Sequence, residues 1–380
     1  MSALSDLVTP AALIDETRMM RNISRMQARI DALGVRLRPH VKTSKCVDVA
    51  RRQSGQGSRG ITVSTLKEAE CFLAAGFDDI LYAACIPPNK IDRALALRRR
   101  GCALTVIVDS IAAARALAEV GRTNDHDHVF DVMIEVDSDG HRSGVNAGDG
   151  LLIDIARELT DGGAILKGVL THAGSSYDLN ASETLEQLAE QERREIVAAA
   201  ERLRAAGFPC PEVSVGSTPT ALSATSLPGI TEVRAGVYVF FDLVMANVGV
   251  CAPRDIALSV LTTVIGHQAE KGWVIVDAGW MAISRDRGTA RQVRDYGYGA
   301  VCDVQGTIIE GYAVTAANQE HGIIGRNDGL PHKDIASRFP IGSLLRILPN
   351  HACATGAQHG EYQLVDGSGQ ISRWSRFNGW

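Results

Sequence analysis

The chain has 380 residues, 45% hydrophobic and 22% charged, with 37 Gly and 12 Pro. This is a globular composition without low-complexity segments and with apolar mass for more than one core. A formal charge of −5 at pH 7 sets aside a nucleic-acid partner, and the single basic run, Arg98 to Arg100, closes a helix pattern, where cations suit the helix dipole.

In chain order, the opening MSALSDLVTPAALIDE has neither a basic n-region nor a long apolar run, and no later segment reaches the ~18 apolar residues of a membrane span. The expectation is a cytoplasmic protein with no membrane partner. Short β-branched runs then alternate with helical patterns from residue 36 to about 240. The predicted strands are RLRPHV (36–41), GITVST (60–65), DILYAA (79–84), ALTVIV (103–108), DVMIEV (131–136), LKGVLT (166–171), EVSVGS (212–217) and TEVRAGVYV (231–239). Helical stretches such as LKEAECFLAAG and SETLEQLAEQERREIVAAAERLRAAG lie between them and end at Gly, which accepts the left-handed conformation beyond a helix C-terminus. The connection between the seventh and eighth strands is short and gives the weakest helical signal.

Eight strands in βα alternation predict a closed parallel (β/α)₈ barrel over 1–248, because each helix covers the outer face and the eighth strand removes the sheet edge. An open doubly wound sheet is the alternative, but no GxGxxG follows the first strand. After residue 248 the texture changes. LSVLTTVIGH, GWVIVDAG, CDVQGTIIE, SLLRILPNH and EYQLVDG are short strand patterns between turns, so 249–380 is expected to be an all-β domain.

Chemistry in such barrels gathers at the carboxyl ends of the strands. There the sequence places Lys42 after the first strand, Arg142 in the loop after the fifth and His172 at the end of the sixth. Ser217 and Thr218 follow the seventh strand, and Gly236 and Val237 fall in the eighth. A single lysine after a strand is ordinarily a solvated side chain. A lysine sharing its face with a histidine, an arginine and hydroxyl- and glycine-bearing loops has another use. A shielded amine forms a Schiff base with an aldehyde cofactor, and such loops hold a phosphate.

These residues carry a family resemblance. LRPHVKTSK (37–45) resembles the lysine motif of the D-serine dehydratase and D-threonine aldolase family, fold-type III pyridoxal 5′-phosphate (PLP) enzymes distantly related to alanine racemase. The likeness continues in order through GHRSGV (140–145), LTHAGSSYD (170–178), VGSTPT (215–220), EVRAGVYVFFD (232–242), VDAGWMAISRDRG (276–288), QEHG (319–322) and PNHACAT (349–355). Each motif is short, but together they span nearly the whole chain. The resemblance implies that Lys42 carries PLP, that Arg142 bonds the phenolic oxygen and that His172 packs near the pyridine ring. Tyr177 would line the pocket, with Ser217, Thr218, Gly236, Val237 and Tyr238 around the phosphate. Arg234 stands where the racemases place the arginine that faces the ring nitrogen. Ser44 departs from the family's KTHK and removes any role of that histidine.

The eight cysteines lack CxxC spacing, so neither a disulfide framework nor a structural zinc module is expected. His351 and Cys353 are two apart in what reads as an extended segment, which would put both on one face of a strand. Alone, such a pair is more often a packed His beside a buried Cys. In the PNHAC context it resembles the family's metal ligands, suiting zinc best, with manganese, cobalt or magnesium as alternatives.

The resemblance then implies a dehydratase of D-3-hydroxyamino acids, with Lys42 removing the Cα proton and the metal drawing off the β-hydroxyl. An aldolase that breaks Cα–Cβ with the same lysine and metal is the alternative. A non-catalytic PLP-binding barrel is a third reading, against which the added β domain argues. The partner is a small-molecule D-3-hydroxyamino acid. Family sites are built across a homodimer, and Arg285, Arg287, Arg291 and Arg294 are candidate cations for a substrate's second carboxylate.

Overall fold

The computed structural model describes residues 4–57, 60–123, 129–179, 182–330 and 334–380. The chain forms two compact units. One comprises Arg25–Gly236 with Gly379–Trp380, and the other comprises Met1–Ser24 with Val237–Asn378. The chain opens with strand β1 (Ala11–Asp15) and helix α1 (Glu16–Ala32), whose buried Met19, Ile23, Met26 and Ile30 recur at helical spacing. The unit boundary falls within α1 and again at Gly236. It therefore differs from a single cut at 248, and the reason lies in β1, which hydrogen-bonds into the C-terminal sheet as described below.

The first unit continues with β2 (Arg36–Leu37), α2 (Val47–Ser54), β3 (Ile61–Val63), α3 (Leu66–Ala74), β4 (Asp79–Cys85), α4 (Ile91–Arg99), β5 (Ala103–Val108) and α5 (Ile111–Thr123). Then come β6 (Asp131–Asp137), β7 (Val145–Asn146), α6 (Leu151–Asp161), β8 (Ile165–Leu170), α7 (Ser182–Ala205), β9 (Glu212–Val215), α8 (Thr218–Ser223) and β10 (Glu232–Val233). Eight strands run parallel in the order β2-β10-β9-β8-β6-β5-β4-β3, with β7 attached to β6. The ring closes where His40 bridges Thr62, with Thr62 N–H donating to Pro39 O at 2.8 Å and Val41 N–H to Thr62 O at 2.9 Å. The expected eight-stranded barrel is present. Leu81, Ile107, Met133 and Leu170 pack together, one from each of four strands, so the barrel interior is a filled core.

Two sequence expectations change. The eighth strand is two residues long, because beyond Gly236 the chain turns. Val237–Val239 is a short 3₁₀ helix in which Val237 O accepts from Phe240 N–H at 3.1 Å and Phe241 N–H at 2.7 Å. The alternation of TEVRAGVYV therefore reflects burial on all sides, and Gly236 and Val237 follow the strand. CDVQGTIIE is likewise two strands around a turn at Asp303–Gly306.

The second unit continues with α9 (Leu243–Val248), β11 (Leu258–Gln268), β12 (Trp273–Val276), α10 (Trp280–Ile283), β13 (Ala300–Cys302) and β14 (Ile308–Ala317). After these come β15 (Gly322–Arg326), α11 (Ile335–Arg338), β16 (Leu344–Leu348), α12 (Ala352–Gly356), β17 (Glu361–Val365) and β18 (Ile371–Ser375). Its strands order as β12-β15-β14-β13-β16-β11-β1-β17-β18, and a further β12–β11 pairing closes the first six into an antiparallel barrel. Val260, Val264, Val276, Val314, Ile324 and Ile347 fill that barrel. β1 pairs with β11 and β17 outside the ring, which is why the apolar AALID belongs to this unit. Among the described residues no helix is long and apolar enough to cross a membrane.

Candidate functional site

The barrel strands deliver a cluster of polar groups at their carboxyl ends. Lys42 lies in the turn that follows β2, partly buried, with its N–H directed to His40 Nδ1 at 3.5 Å. Lys45 shapes this turn. It holds φ 44°, unusual for a residue with a Cβ, and its ammonium lies 3.2 Å from Oε1 of the fully buried Glu68. Glu68 also accepts from Ser64 N–H (3.1 Å) and Ser64 Oγ (2.7 Å) after β3, so the turn carrying Lys42 is tied to the neighbouring strand end.

His40 and His172 share this positive surrounding. Burial first, then Lys42, Arg234, His172 and Arg142, holds His40 well below the ordinary imidazole range. His172 is pushed down to about 3 by burial and by Arg142 and Lys42. It is thus neutral at physiological pH. Its Nδ1 contacts Gly216 O, and because a carbonyl only accepts, Nδ1 carries the proton and Nε2 keeps its lone pair. The Tyr177 ring lies 6.1 Å from the His172 ring, centroid to centroid.

Arg142, in the loop after β6, is half-exposed and pairs at 3.2 Å with Oε1 of Glu135, a buried residue of β6. Oε2 of Glu135 accepts from Ser143 Oγ at 3.0 Å and Cys85 Sγ at 3.2 Å. Burial, with Glu135 and Asp109 alongside, pushes the Cys85 thiol far up, so it stays protonated and donates. Among the described residues, Cys85, Asp109 and Glu135 bring three ligand-type atoms within 4.8 Å of one another, a grouping that could hold a cation. The positive charge there is supplied by Arg142.

The loops after β8 and β9 interlock. Ser176 Oγ donates to Ser217 Oγ at 3.0 Å, and Ser217 caps α8 by accepting from Thr220 N–H at 3.1 Å. Thr218 Oγ1 is buried and has no hydrogen-bond partner, a costly state for a hydroxyl unless a ligand supplies one. Two glycines permit close approach here. A Cβ on Gly216 would lie 2.2 Å from Arg234 O, and one on Gly236 would lie 2.8 Å from His40 O. Arg234 is buried, with Nη1 donating to Ser214 Oγ and Nη2 to Thr171 O, each at 2.6 Å. Burial lowers it to about 10, which leaves it charged at neutral pH.

The β unit holds the second group. Val237 and Tyr238 are buried at its start. His351 and Cys353 do not lie on a strand face. His351 is the N-cap of α12, with φ −135° and ψ 111°, and Cys353 lies inside that helix's first turn. The pair still meets, because their side chains are hydrogen-bonded to each other. His351 Nδ1 also lies 3.3 Å from Asp286 Oδ2. Partial burial opposes a charged imidazole, yet Cys353, Asp286 and Asp242 outweigh it and hold His351 well above its ordinary range. Asp242 accepts from Met245 N–H (2.9 Å) with Oδ1 and from Ala352 N–H (3.0 Å), between the pair, with Oδ2. Asn350 donates to Asp286 O (2.9 Å) and Gly297 O (2.8 Å), fixing the approach to His351. An imidazole, a thiol and a nearby carboxylate form a donor set suited to a divalent metal.

The four arginines of the DAGW region divide. Arg287 pairs with Asp295 at 2.9 Å and Arg294 with Glu310 at 3.4 Å, while Arg285 stacks on Trp280 at 4.7 Å and Arg291 is exposed. Sequence reading passed over Glu135, Glu192, Asp242 and Asp286. Glu192 carried a signal, since it continues the apolar stripe Leu185, Leu188, Ile196, Ala199, Leu203 of α7.

Compared with known proteins, residues 14–244 match the family model of the alanine racemase N-terminal domain, and residues 257–365 match a putative serine dehydratase domain. The chain is 65% identical over 378 residues to D-threo-3-hydroxyaspartate dehydratase of Delftia sp. (strain HT23), covering 99% of each. It is 30% identical to D-serine dehydratase of Dictyostelium discoideum, covering 97% of this chain and 96% of that one. Among solved structures, a cysteine-to-alanine variant of D-threo-3-hydroxyaspartate dehydratase in the metal-free form superposes with a TM-score of 0.99 at 64% identity, with both chains fully covered.

Proposed function

The chain belongs to the family that joins an alanine racemase N-terminal domain to a serine dehydratase domain, and from that premise we propose that it converts D-threo-3-hydroxyaspartate to oxaloacetate and ammonia. The fold is alanine racemase-like, and the family is PLP-dependent. The carrying observation is the full-length 65% identity to a dehydratase of this substrate, joined to a barrel that presents Lys42 and a β unit that presents His351 beside Cys353.

When bound, PLP supplies an aldehyde and an electron sink, and the metal supplies a Lewis acid for a departing hydroxyl. Lys42 would hold the cofactor through Nζ, and its amine, set free when the substrate's own amine takes that place, would accept the proton from the substrate's Cα. The partnerless Thr218 hydroxyl, with Ser217 and the backbone at Gly236, Val237 and Tyr238, binds the phosphate. Arg142, oriented by Glu135, bonds the phenolic oxygen. Neutral His172 packs at the ring with Tyr177 beside it, and Arg234 keeps a fixed positive charge at the same strand ends. His351 and Cys353 hold the metal, with Asp286 fixing the imidazole and Asp242 the intervening backbone. The active form is a homodimer working in the cytoplasm, a setting consistent with eight cysteines that form no disulfide.

Product analysis tests the reading. D-threo-3-hydroxyaspartate should give oxaloacetate and ammonia in equal amounts. Glyoxylate and glycine without ammonia would make the protein an aldolase and refute the dehydratase reading, while sparing the roles of Lys42 and the metal pair.

A further inference from the structure

Glu192 is the buried carboxylate of α7 in a stretch whose neighbours Glu190 and Gln191 are exposed. Its Oε1 accepts from Ala173 N–H at 3.0 Å and from Gly216 N–H at 3.2 Å, and its side chain is also hydrogen-bonded to Thr220. These partners belong to two different strand-end loops. Ala173 follows His172 in the loop after β8, whereas Gly216 precedes Ser217 after β9 and Thr220 lies in the first turn of α8, which Ser217 caps. The same loops touch again through His172 Nδ1 to Gly216 O and through Ser176 Oγ to Ser217 Oγ.

A buried carboxylate is costly to keep, and α7 could have carried Leu or Ala in its apolar stripe at this position. Here the carboxylate satisfies two backbone N–H groups that the strands leave unpaired, one beside each site residue. Arg234 adds a favourable charge from nearby, although burial still raises the Glu192 carboxyl above its ordinary range. Removing it would leave two buried N–H groups unpaired and would free the loop carrying Ser217 and Thr218 to shift.

We propose that Glu192 is a positioning residue that clamps the His172 loop to the Ser217–Thr220 loop and so preforms the site for the cofactor's phosphate. It touches neither cofactor nor substrate in this role. The proposal rests on the reading that the loop after β9 binds that phosphate.

The test compares PLP with pyridoxal, which has the same aldehyde and lacks the phosphate, in fluorescence titrations of apoenzyme prepared from the holoenzyme. The wild type should prefer PLP strongly, and Glu192→Ala should reduce that preference about tenfold or more, the scale for losing hydrogen bonds to a charged group. A purely structural loss would lower stability and leave the ratio of the two affinities in the folded protein unchanged, and an unchanged ratio overturns the proposal. Should Glu192→Ala fail to fold, Glu192→Asp keeps the charge but falls one methylene short of both N–H groups. It should narrow the ratio in the same direction, and a wild-type ratio there overturns the proposal equally. A wild type without preference for PLP would instead refute the phosphate reading of the loop.

Discussion

The groups at the barrel's strand ends and the pair in the β unit are built on different plans. Lys42 and His40 come from the turn after β2, Arg142 from the loop after β6, His172 from the end of β8 and Arg234 from the end of β10, and buried carboxylates brace three of these ends: Glu68 through Lys45, Glu135 at Arg142 and Glu192 beside His172. His351 and Cys353 come from one short turn, with His351 remaining 44% exposed at its side chain, and their rigidity derives from Asp286, Asp242 and Asn350. A cofactor as large as PLP requires a cradle assembled from many loops, whereas a metal ion needs few donors and an open position for water or substrate. The two sites should therefore fail separately.

The largest effect that sharpens this contrast is expected from Lys42→Ala. It should lower kcat by roughly 10³-fold or more, the scale for a combined nucleophile and acid/base. It should also abolish the visible absorbance of bound cofactor without altering metal content measured by atomic emission. Loss of metal in this variant would break the separation.

Cys353→Ala should act in the opposite sense. Losing a ligand should weaken metal affinity at least as much as the ~10–100-fold typical of an outer-shell change. Excess metal should partly restore turnover through His351, and the cofactor spectrum should stay as in the wild type. A titration of activity against added manganese or zinc checks this, and failure of any metal to restore turnover would contradict the ligand assignment.

A smaller effect concerns stability. The folded state holds His172 at about 3, whereas the unfolded chain titrates near 6.5. The folded protein thus excludes a proton that the unfolded chain binds. Stability from this group is complete above pH 6.5 and falls as the pH drops towards 3, by up to about 1.4 kcal/mol per pH unit. His172→Asn should show a shallower acid decline of Tm in that window, and an identical slope would remove His172 from the account.

The same contrast governs what could be read from the chain. The barrel was legible because strand and helix periods alternate eight times, and each strand's end marks where Lys42, His172 and Ser217 must emerge. The TEVRAGVYV run misled, since a fully buried turn can show the same apolar residues as a strand, and only the backbone hydrogen bonds to Val237 O separate them. β1 was not predicted, because five residues of AALID carry no sign of a partner some 250 residues away. His351 and Cys353 stand out as a motif, but their spacing does not fix their geometry, for an i, i+2 pair comes together at a helix start as well as along a strand. The supporting carboxylates were hidden for a different reason. Glu135, Glu192, Asp242 and Asp286 resemble ordinary surface acids until the fold buries them or sets them against a ligand. Glu192 inside the apolar stripe of α7, Glu135 inside VMIEV and Asp242 inside VFFDLV do interrupt apolar runs, but a single acid in such a run does not say what it would hold.

If the barrel holds the cofactor, the β unit holds the metal and turnover needs both, activity and cofactor content must part company when the metal is withdrawn. The most direct measurement follows ammonia release from D-threo-3-hydroxyaspartate and the visible absorbance of the holoenzyme in one cuvette during titration with a chelator. Ammonia release should fall to background while the absorbance stays constant, and added divalent metal should restore the rate. Release of the cofactor with the metal, or an unchanged rate after the metal is gone, would contradict this division of roles.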